Sequence, residues 1–192
     1  MIAFIIGNGT SREHFDLQKL RKGTVFGCNA LYRVYEPDYL VAIDDGIIDE
    51  INEWGLREPK SKTQVIFPPY EERWEPAECN PNRPRSNAGV NAMLEAIKRD
   101  HTELYCLGFD FLIDGPESIS NMFDGTPNYT METRASIHDG DPRTRYLECV
   151  ANTNANVKFY FVFPSGLHFR HMNAGNCRGM FYDDFEKMLF DI

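Results

Sequence analysis

The sequence predicts a single α/β domain of the Rossmann-like class, with a mostly parallel sheet and helices on both faces. Three observations predict this class. Short apolar runs alternate with stretches of helical periodicity, as strands and helices do in a parallel sheet. The first run, residues 2–6, is apolar throughout, as expected of a strand buried on both faces. The chain of 192 residues is long enough for one domain, 1–192, with a substantial core.

The elements follow from the pattern of apolar residues along the chain. Six apolar runs are predicted as strands: residues 2–6, 24–28, 39–43, 65–67, 104–107 and 157–163. Helical spacing predicts five helices: residues 12–20, 46–54, 87–99, 142–151 and 181–190. Residues 68–84 contain five prolines and are predicted as a loop. Residues 114–141 are polar without a clear period, which predicts a mobile loop region that acts as a lid or binding loop.

The composition excludes several classes of protein. The formal net charge is -9, whereas a protein that grips many phosphates needs a basic surface, so strong nucleic-acid binding is not expected. Five arginines still allow a local basic patch: Arg83, Arg85, Arg134, Arg143 and Arg145. No segment has the roughly 18 apolar residues of a membrane span. The first residues lack a basic n-region and a cleavage site, so no signal peptide is expected.

The five cysteines predict a reduced, cytoplasmic protein. Their number is odd, their spacings are wide, and no CxxC pair occurs. Cys106 lies in an apolar run, where a thiol behaves as a small hydrophobe. Neither a zinc cage nor a disulfide scaffold is indicated, and a reducing cytosol fits this pattern best.

The first loop, Gly7-Asn8-Gly9-Thr10-Ser11, is the leading candidate for a nucleotide site. It follows a predicted strand and precedes a predicted helix. Ligands of open α/β sheets bind at the carboxyl ends of the strands, near the point where the strand order reverses. Glycines let the backbone approach a ligand, and amides at a helix start face phosphate. The alternative is a tight turn with Ser11 as a helix N-cap.

Polar residues at two further loops are predicted to bind the same nucleotide. Asn29 ends the second strand, where it hydrogen-bonds a ligand or tolerates a left-handed turn. Arg85 and Ser86 precede the longest predicted helix, and Ala88 and Gly89 open it. One arginine with free amides makes an anion site, and helix capping by Ser86 is compatible with that role.

Acidic or basic residues in three further loops carry alternative interpretations. Gly108 and Asp110 end the fifth strand, where Asp110 contacts a ligand or orients neighbouring loop amides. Asp44 and Asp45 end the third strand, and either the two carboxylates hold a divalent cation or Asp45 caps the following helix. We predict no metal ligand, which leaves capping as the interpretation. His138 lies in the long loop and is a candidate general base, because a histidine titrates near neutral pH.

Together these segments resemble the small bacterial sialyltransferases that decorate lipooligosaccharide, and the wider sialyltransferase-like families. The family's Gly-Asn-Gly-Pro-Ser loop is similar to residues 7–11, and its Cys-Asn pair to residues 28–29. Its Ser-Gly-Val helix start and its Gly-Ile-Asp-Phe strand end are similar to residues 88–90 and 108–111. The family's base histidine precedes a helix and a strand, as His138 does here. The order and intervals agree over most of the chain.

The resemblance implies a variant of the GT-A glycosyltransferase fold and a transferase that uses a nucleotide sugar, with a CMP-sugar favoured. Asn8, Asn29 and the turn at 88–89 would contact the nucleotide, and His138 would deprotonate an acceptor hydroxyl that attacks with inversion. No metal or other cofactor is required in that family. The family's two tyrosines for the leaving phosphate are missing, since the nearest positions are Leu112 and Ser118; Tyr129 or Arg134 would have to substitute.

Two alternatives from other functional classes remain open at this point. Archaeal pterin pyrophosphokinase-like enzymes share the glycine-rich first loop; they use ATP and need Mg²⁺, which would make Asp44, Asp45 or Asp110 a metal ligand. A binding module without catalysis is the third hypothesis, since the tyrosine pair is missing. The expected partners are therefore a nucleotide sugar and an acceptor that the sequence does not identify.

Overall fold

A computed structural model describes residues 1–20, 22–56, 61–80 and 85–191 of the chain. Arg83 of the predicted basic patch lies outside the described residues. The strands are β1 (Ile2–Ile6), β2 (Thr24–Cys28), β3 (Tyr39–Val41), β4 (Gln64–Ile66), β5 (Glu103–Leu107), β6 (Lys158–Phe163) and β7 (Cys177–Phe181). The α-helices are α1 (Asp45–Glu53), α2 (Ala88–Ile97), α3 (Gly140–Thr153) and α4 (Tyr182–Asp191).

The seven strands form one sheet in the order β4-β3-β2-β1-β5-β6-β7, and every neighbouring pair is parallel. The predicted Rossmann-like α/β class is confirmed. The chain extends the sheet from β1 in one direction through β4, then returns to the other side of β1 and continues through β7. The strand order therefore reverses between β1 and β5, where the carboxyl ends of these strands leave a crevice.

The hydrophobic core lies on both faces of the sheet. Ala3 and Ile5 of β1 pack in the cluster that contains residues of α2 and α3, whereas Phe4 and Ile6 pack with residues of α1 and α4. All four side chains are fully buried, as predicted for a central strand. Alternate side chains of one strand thus supply both layers of core.

Two element predictions are wrong in an informative way. Residues 12–20 are not one helix but two short 3-10 helices, Thr10–Arg12 and Leu17–Lys19, because Asp16 accepts a hydrogen bond from the amide of Gln18 and starts a new turn. Strand β7 is not predicted at all. It lies at the edge of the sheet, it contains Arg178 and Gly179, and none of its residues is buried, so it lacks the continuous apolar run of the central strands.

The expectation that all cysteines are reduced thiols is also wrong. Cys79, in the proline-rich loop, and Cys149, in α3, form a disulfide with Cα atoms 5.8 Å apart. Seventy residues separate them in the sequence, so no spacing rule joins them, and only the packing of the loop against α3 does. Cys106 is a free buried thiol, as expected. The prediction of a reducing cytosol rested on unpaired cysteines, and the disulfide removes that argument for two of the five.

The structure also bears on membrane insertion. Among the described residues, no helix is both long and apolar enough to pass through a lipid bilayer.

Candidate functional site

A cavity of about 240 Å³ opens at the carboxyl ends of β1 and β5, at the reversal of strand order. Most residues predicted to bind a nucleotide line it: Gly7, Asn8, Gly9, Asn29, Ser86, Ala88, Gly89, Gly108 and Asp110. They come from four separate loops, which the parallel sheet brings to one edge. Thr10, Ser11, Arg85 and His138 are not part of the lining.

The floor of the cavity consists of two loop backbones in direct contact. The amide of Gly7 donates to the carbonyl of Leu107 (2.8 Å), and the amide of Gly9 donates to the carbonyl of Gly108 (3.0 Å). A Cβ atom at Gly7 would lie 2.5 Å from the Gly108 oxygen. Gly108 has a φ of +75°, a conformation that side chains rarely adopt. The glycines of this motif therefore pack the two loops together, and they also leave the backbone open to the cavity.

Asp110 orients the first loop through its carboxylate. One oxygen accepts the backbone amide of Ser11 at 2.9 Å and the Thr10 hydroxyl at 3.4 Å, and the other accepts the Ser11 hydroxyl. Burial raises the pKa of Asp110, while the hydrogen bonds from Ser11 and Thr10 lower it. Asp110 thus fulfils the second of its predicted roles, orientation of loop amides. Ser11 does not cap an α-helix, because it lies inside a 3-10 helix.

Arg12 is a buried arginine beneath the loop that the sequence pattern does not reveal. Its side chain is 2% exposed, and its Nε donates to the Gly7 carbonyl at 2.5 Å. Burial lowers its pKa, whereas the neighbouring Cys28, Tyr182 and Asp110 raise it. A charged residue in a short polar stretch usually lies at the surface, so only the closed fold identifies Arg12 as a support of the floor.

Asn8 lines the cavity and has a buried hydrogen-bond acceptor without a partner. The residue is 9% exposed, and its Nδ2 donates to the carbonyl of Cys28 at 3.3 Å. Its Oδ1 is buried and has no hydrogen-bond partner among the described residues. A buried polar atom without a partner is costly, so this oxygen calls for a donor supplied by a ligand or by water.

Asn29 and Asp44 form the wall beside β3. Asn29 has a φ of +46°, so the predicted left-handed turn and the predicted place in the site are found together. Its Nδ2 donates to Asp44 at 2.5 Å, and its Oδ1 accepts the amide of Ile43 at 3.3 Å. Asp44 holds the N-cap position of α1, but its side chain makes no capping hydrogen bond. The N-cap predicted at Asp45 is therefore wrong by one residue, since Asp45 is the first residue of α1.

The opposite wall is the N-terminus of α2, preceded by Ser86 and Asn87. Asn87 caps the helix by accepting the amide of Val90 at 3.1 Å. Gly89 packs closely on Phe109, since a Cβ there would lie 2.7 Å from the ring. The amides of the first helical turn have no intrahelical acceptors, and together with the helix dipole they favour an anion at this wall.

Three arginines lie near the cavity, but they differ in how their charge is used. Arg134 lines it and pairs with Asp124 at 3.3 Å, while Arg85 is outside the lining and pairs with Asp139 at 2.9 Å. Arg143 lines the cavity and forms no ion pair within the described ranges of the chain. Burial lowers its pKa, and the nearby Asp139 opposes that shift. Arg143 is thus the arginine whose charge remains available to an anion.

The predicted base, His138, lies on the surface. Its side chain is exposed, and its backbone amide donates to the Ser136 hydroxyl at 3.2 Å. Ser136 and Asp139 form a reciprocal capping box around this short turn. The structure therefore places His138 in a capped turn next to α3 and outside the cavity lining.

Hydrogen bonds from Arg33 hold part of the long loop beside the cavity. Arg33 donates to the Thr126 hydroxyl (2.7 Å) and to the Pro127 carbonyl (2.9 Å), and it pairs with Glu50 of α1 at 2.5 Å. These contacts hold the segment that carries Tyr129, which lines the cavity with its hydroxyl 3.5 Å from Asn8 Nδ2. Tyr129 and Arg134, the two residues considered as substitutes for the family tyrosines, both line the cavity.

We expect Glu50→Gln to destabilise the protein by about 2 kcal/mol at neutral pH, because Arg33 and Glu50 are mostly buried and share two charge-assisted hydrogen bonds. The hydrogen bond from Arg33 lowers the pKa of Glu50. Its stabilisation is therefore present above the ordinary glutamate pKa of about 4.3 and disappears as the pH falls through the lower folded value. Urea unfolding at several pH values measures this.

The matched control for this prediction is Glu53→Gln, which changes an exposed glutamate on the same helix. We expect it to shift the unfolding free energy by no more than about 0.5 kcal/mol. An equal loss in both variants, or a difference between Glu50→Gln and wild type that persists at low pH, would contradict the role of the buried pair.

Among the described residues, no group of three or more His, Cys, Asp or Glu side chains is arranged to hold a metal ion. The chain matches no protein-family model, and comparisons with curated proteins and with solved structures gave no significant match.

Proposed function

We propose that this protein is a transferase that binds a nucleotide sugar in the cavity at the reversal of strand order and passes the sugar to an acceptor hydroxyl with inversion. One observation carries the proposal. The cavity has an anion wall, made by the start of α2 and by Arg143, and it is lined by Asn8; in the described parts of the chain, Arg143 has no ion-pair partner and the buried Oδ1 of Asn8 has no hydrogen-bond partner. A nucleotide offers both matching features, since it has an anionic phosphate and hydrogen-bond donors on its ribose or base.

The proposed arrangement puts the phosphate against the amides of Ala88 and Gly89 and the guanidinium of Arg143. The nucleoside then lies along the Gly7–Gly9 backbone, where Asn8 meets a donor from the ribose or base. The resemblance to sialyltransferase-like proteins supports a CMP-sugar within this class, and the proposal invokes no metal or cofactor. The acidic net charge of the chain does not oppose it, because the cation at the cavity is local.

The first experiment is a thermal-shift panel of CMP, CDP, CTP, UDP, GDP, AMP and ATP, each with and without Mg²⁺. A nucleotide at about 100 times its Kd adds about 2.7 kcal/mol to stability, equivalent to about 5–10 °C for a chain of this size. We expect a shift with CMP that does not depend on Mg²⁺. A shift with ATP only in the presence of Mg²⁺ would favour the pyrophosphokinase-like alternative instead, and no shift at all would refute nucleotide binding.

Arg143→Gln sharpens this panel, because it removes the available charge from the anion wall. We expect it to weaken nucleotide binding at least about tenfold, as a lost charge-assisted hydrogen bond does. Arg145→Gln is the control, since Arg145 lies on the same helix but is exposed and outside the lining. Equal nucleotide affinity in the two variants would show that the phosphate does not meet Arg143.

A further inference from the structure

The cavity contains a carboxylate that is better placed for proton transfer than His138. Three aspartates line it: Asp44, Asp110 and Asp124. Both oxygens of Asp110 accept hydrogen bonds from the first loop, and Asp124 pairs with Arg134. Within the described parts of the chain, Asp44 has no ion-pair partner. Its Oδ2 is held by Asn29, and its Oδ1 accepts no hydrogen bond from the described residues.

The surroundings of Asp44 hold it in one orientation. The Oδ1 of Asn29 is anchored by the amide of Ile43, and the Nδ2 of Asn29 reaches Asp44 Oδ2. Asn29 adopts a left-handed backbone conformation that aims its side chain across the carboxyl ends of β2 and β3. The Asp44 side chain does not cap α1, although it stands at the N-cap, so its second oxygen remains free to meet a substrate.

We propose that Asp44 is the general base of the transferase, an inference that rests on the proposed function. The free Oδ1 of Asp44 takes the proton of an acceptor hydroxyl that enters from the open mouth of the cavity. The acceptor oxygen forms a bond to the anomeric carbon, and the bond from that carbon to the phosphate oxygen breaks. The leaving nucleotide keeps the electron pair, and Arg143 with the start of α2 stabilises its charge.

The charges around Asp44 are compatible with this role. Enclosure by protein atoms raises its pKa even though solvent reaches the carboxylate, and the hydrogen bond from Asn29 lowers it. Asp45 raises it further, whereas Arg143 and Arg73 lower it. A carboxylate with a raised pKa is a stronger base than a fully solvated one.

The test is Asp44→Asn, which keeps an oxygen for Asn29 and removes the base. Release of the free nucleotide is measured with CMP-sialic acid, UDP-glucose and GDP-mannose, with lactose and with water alone as acceptors. We expect turnover to fall by about 10²–10⁴-fold. The thermal shift with the nucleotide is expected to persist, which separates loss of the base from loss of binding. Asp44→Ala is the second variant, for the case in which Asp44→Asn does not fold. We expect the same loss of turnover from Asp44→Ala.

Asp45→Asn is the matched control, because Asp45 is the adjacent carboxylate, is highly exposed, and pairs with Arg73 outside the lining. We expect its turnover to equal that of wild type. Full turnover in Asp44→Asn would overturn the inference. So would a result in which His138→Ala loses turnover while Asp44→Asn remains active. A wild-type protein that binds a nucleotide but releases none from any donor would also overturn it, while leaving nucleotide binding intact. Absence of nucleotide binding would instead refute the proposed function itself.

Discussion

Gly7→Ala is expected to abolish the nucleotide-induced thermal shift and to destabilise the protein by about 3 kcal/mol. The added methyl group would lie 2.5 Å from the oxygen of Gly108 and 3.3 Å from that of Leu107. Both are backbone atoms, so neither can move away as a side-chain tip would. The two loops would have to separate, and the Gly7–Leu107 hydrogen bond would be lost with them. Chemical unfolding and the nucleotide panel measure the two effects.

The control for this substitution is Gly175→Ala, since a Cβ at Gly175 would meet no atom within 4 Å. We expect a change of at most about 0.5 kcal/mol and an unaltered nucleotide response. If Gly7→Ala were as stable as Gly175→Ala and bound the nucleotide as well as wild type, the close contact of the two loops would not be required for the site.

Asp110→Ala is expected to cost about 3 kcal/mol, because it removes a buried carboxylate and leaves the partly buried amide and hydroxyl of Ser11 without their acceptor. Arg12 would also lose a negative charge that favours its protonated form. Since the first loop forms the floor of the cavity, we expect nucleotide affinity to fall at least about tenfold. Urea unfolding and titration of the nucleotide by calorimetry give the two values.

Asp49→Ala is the control for Asp110→Ala, because Asp49 is exposed on α1 and outside the lining. We expect it to be nearly neutral. The variant Asp110→Asn distinguishes the position's two possible roles. If Asp110 supports the loop, Asp110→Asn weakens nucleotide binding to a similar extent with and without Mg²⁺. A loss confined to the Mg²⁺-dependent response would identify Asp110 as a metal ligand and contradict its role as a support.

Asp110 and His138 show when residue type and spacing predict that a side chain lies in the site and when they do not. Both are titratable residues near a strand or helix end, which is where the pattern predicts chemistry. Asp110 lies three residues after the end of β5, so the strand fixes its position and it reaches the cavity. His138 lies 31 residues beyond the end of β5 by the numbering of the chain, in a loop without a repeating pattern. Its direction depends on how that loop packs, and no local rule determines this.

Asp44 shows how a distant contact changes the role of a side chain. The pattern predicts the N-cap at Asp45, whereas local geometry makes Asp44 the N-cap residue of α1. The competing hydrogen bond from Asn29, fifteen residues earlier in the chain, draws its side chain away from the helix amides. A contact between the ends of two neighbouring strands thus overrides a preference that operates within one turn.

The sequence by itself determined the fold class, the buried central strand and most of the loops that meet at the site. These depend on apolar periodicity and on residues at strand ends, and both act locally. Only the tertiary structure decided the edge strand β7, the Cys79–Cys149 pair, the buried Arg12 and the free carboxylate of Asp44. Each of these depends on contacts between atoms that are distant in the chain, and such contacts form only after folding has closed the intervening loops.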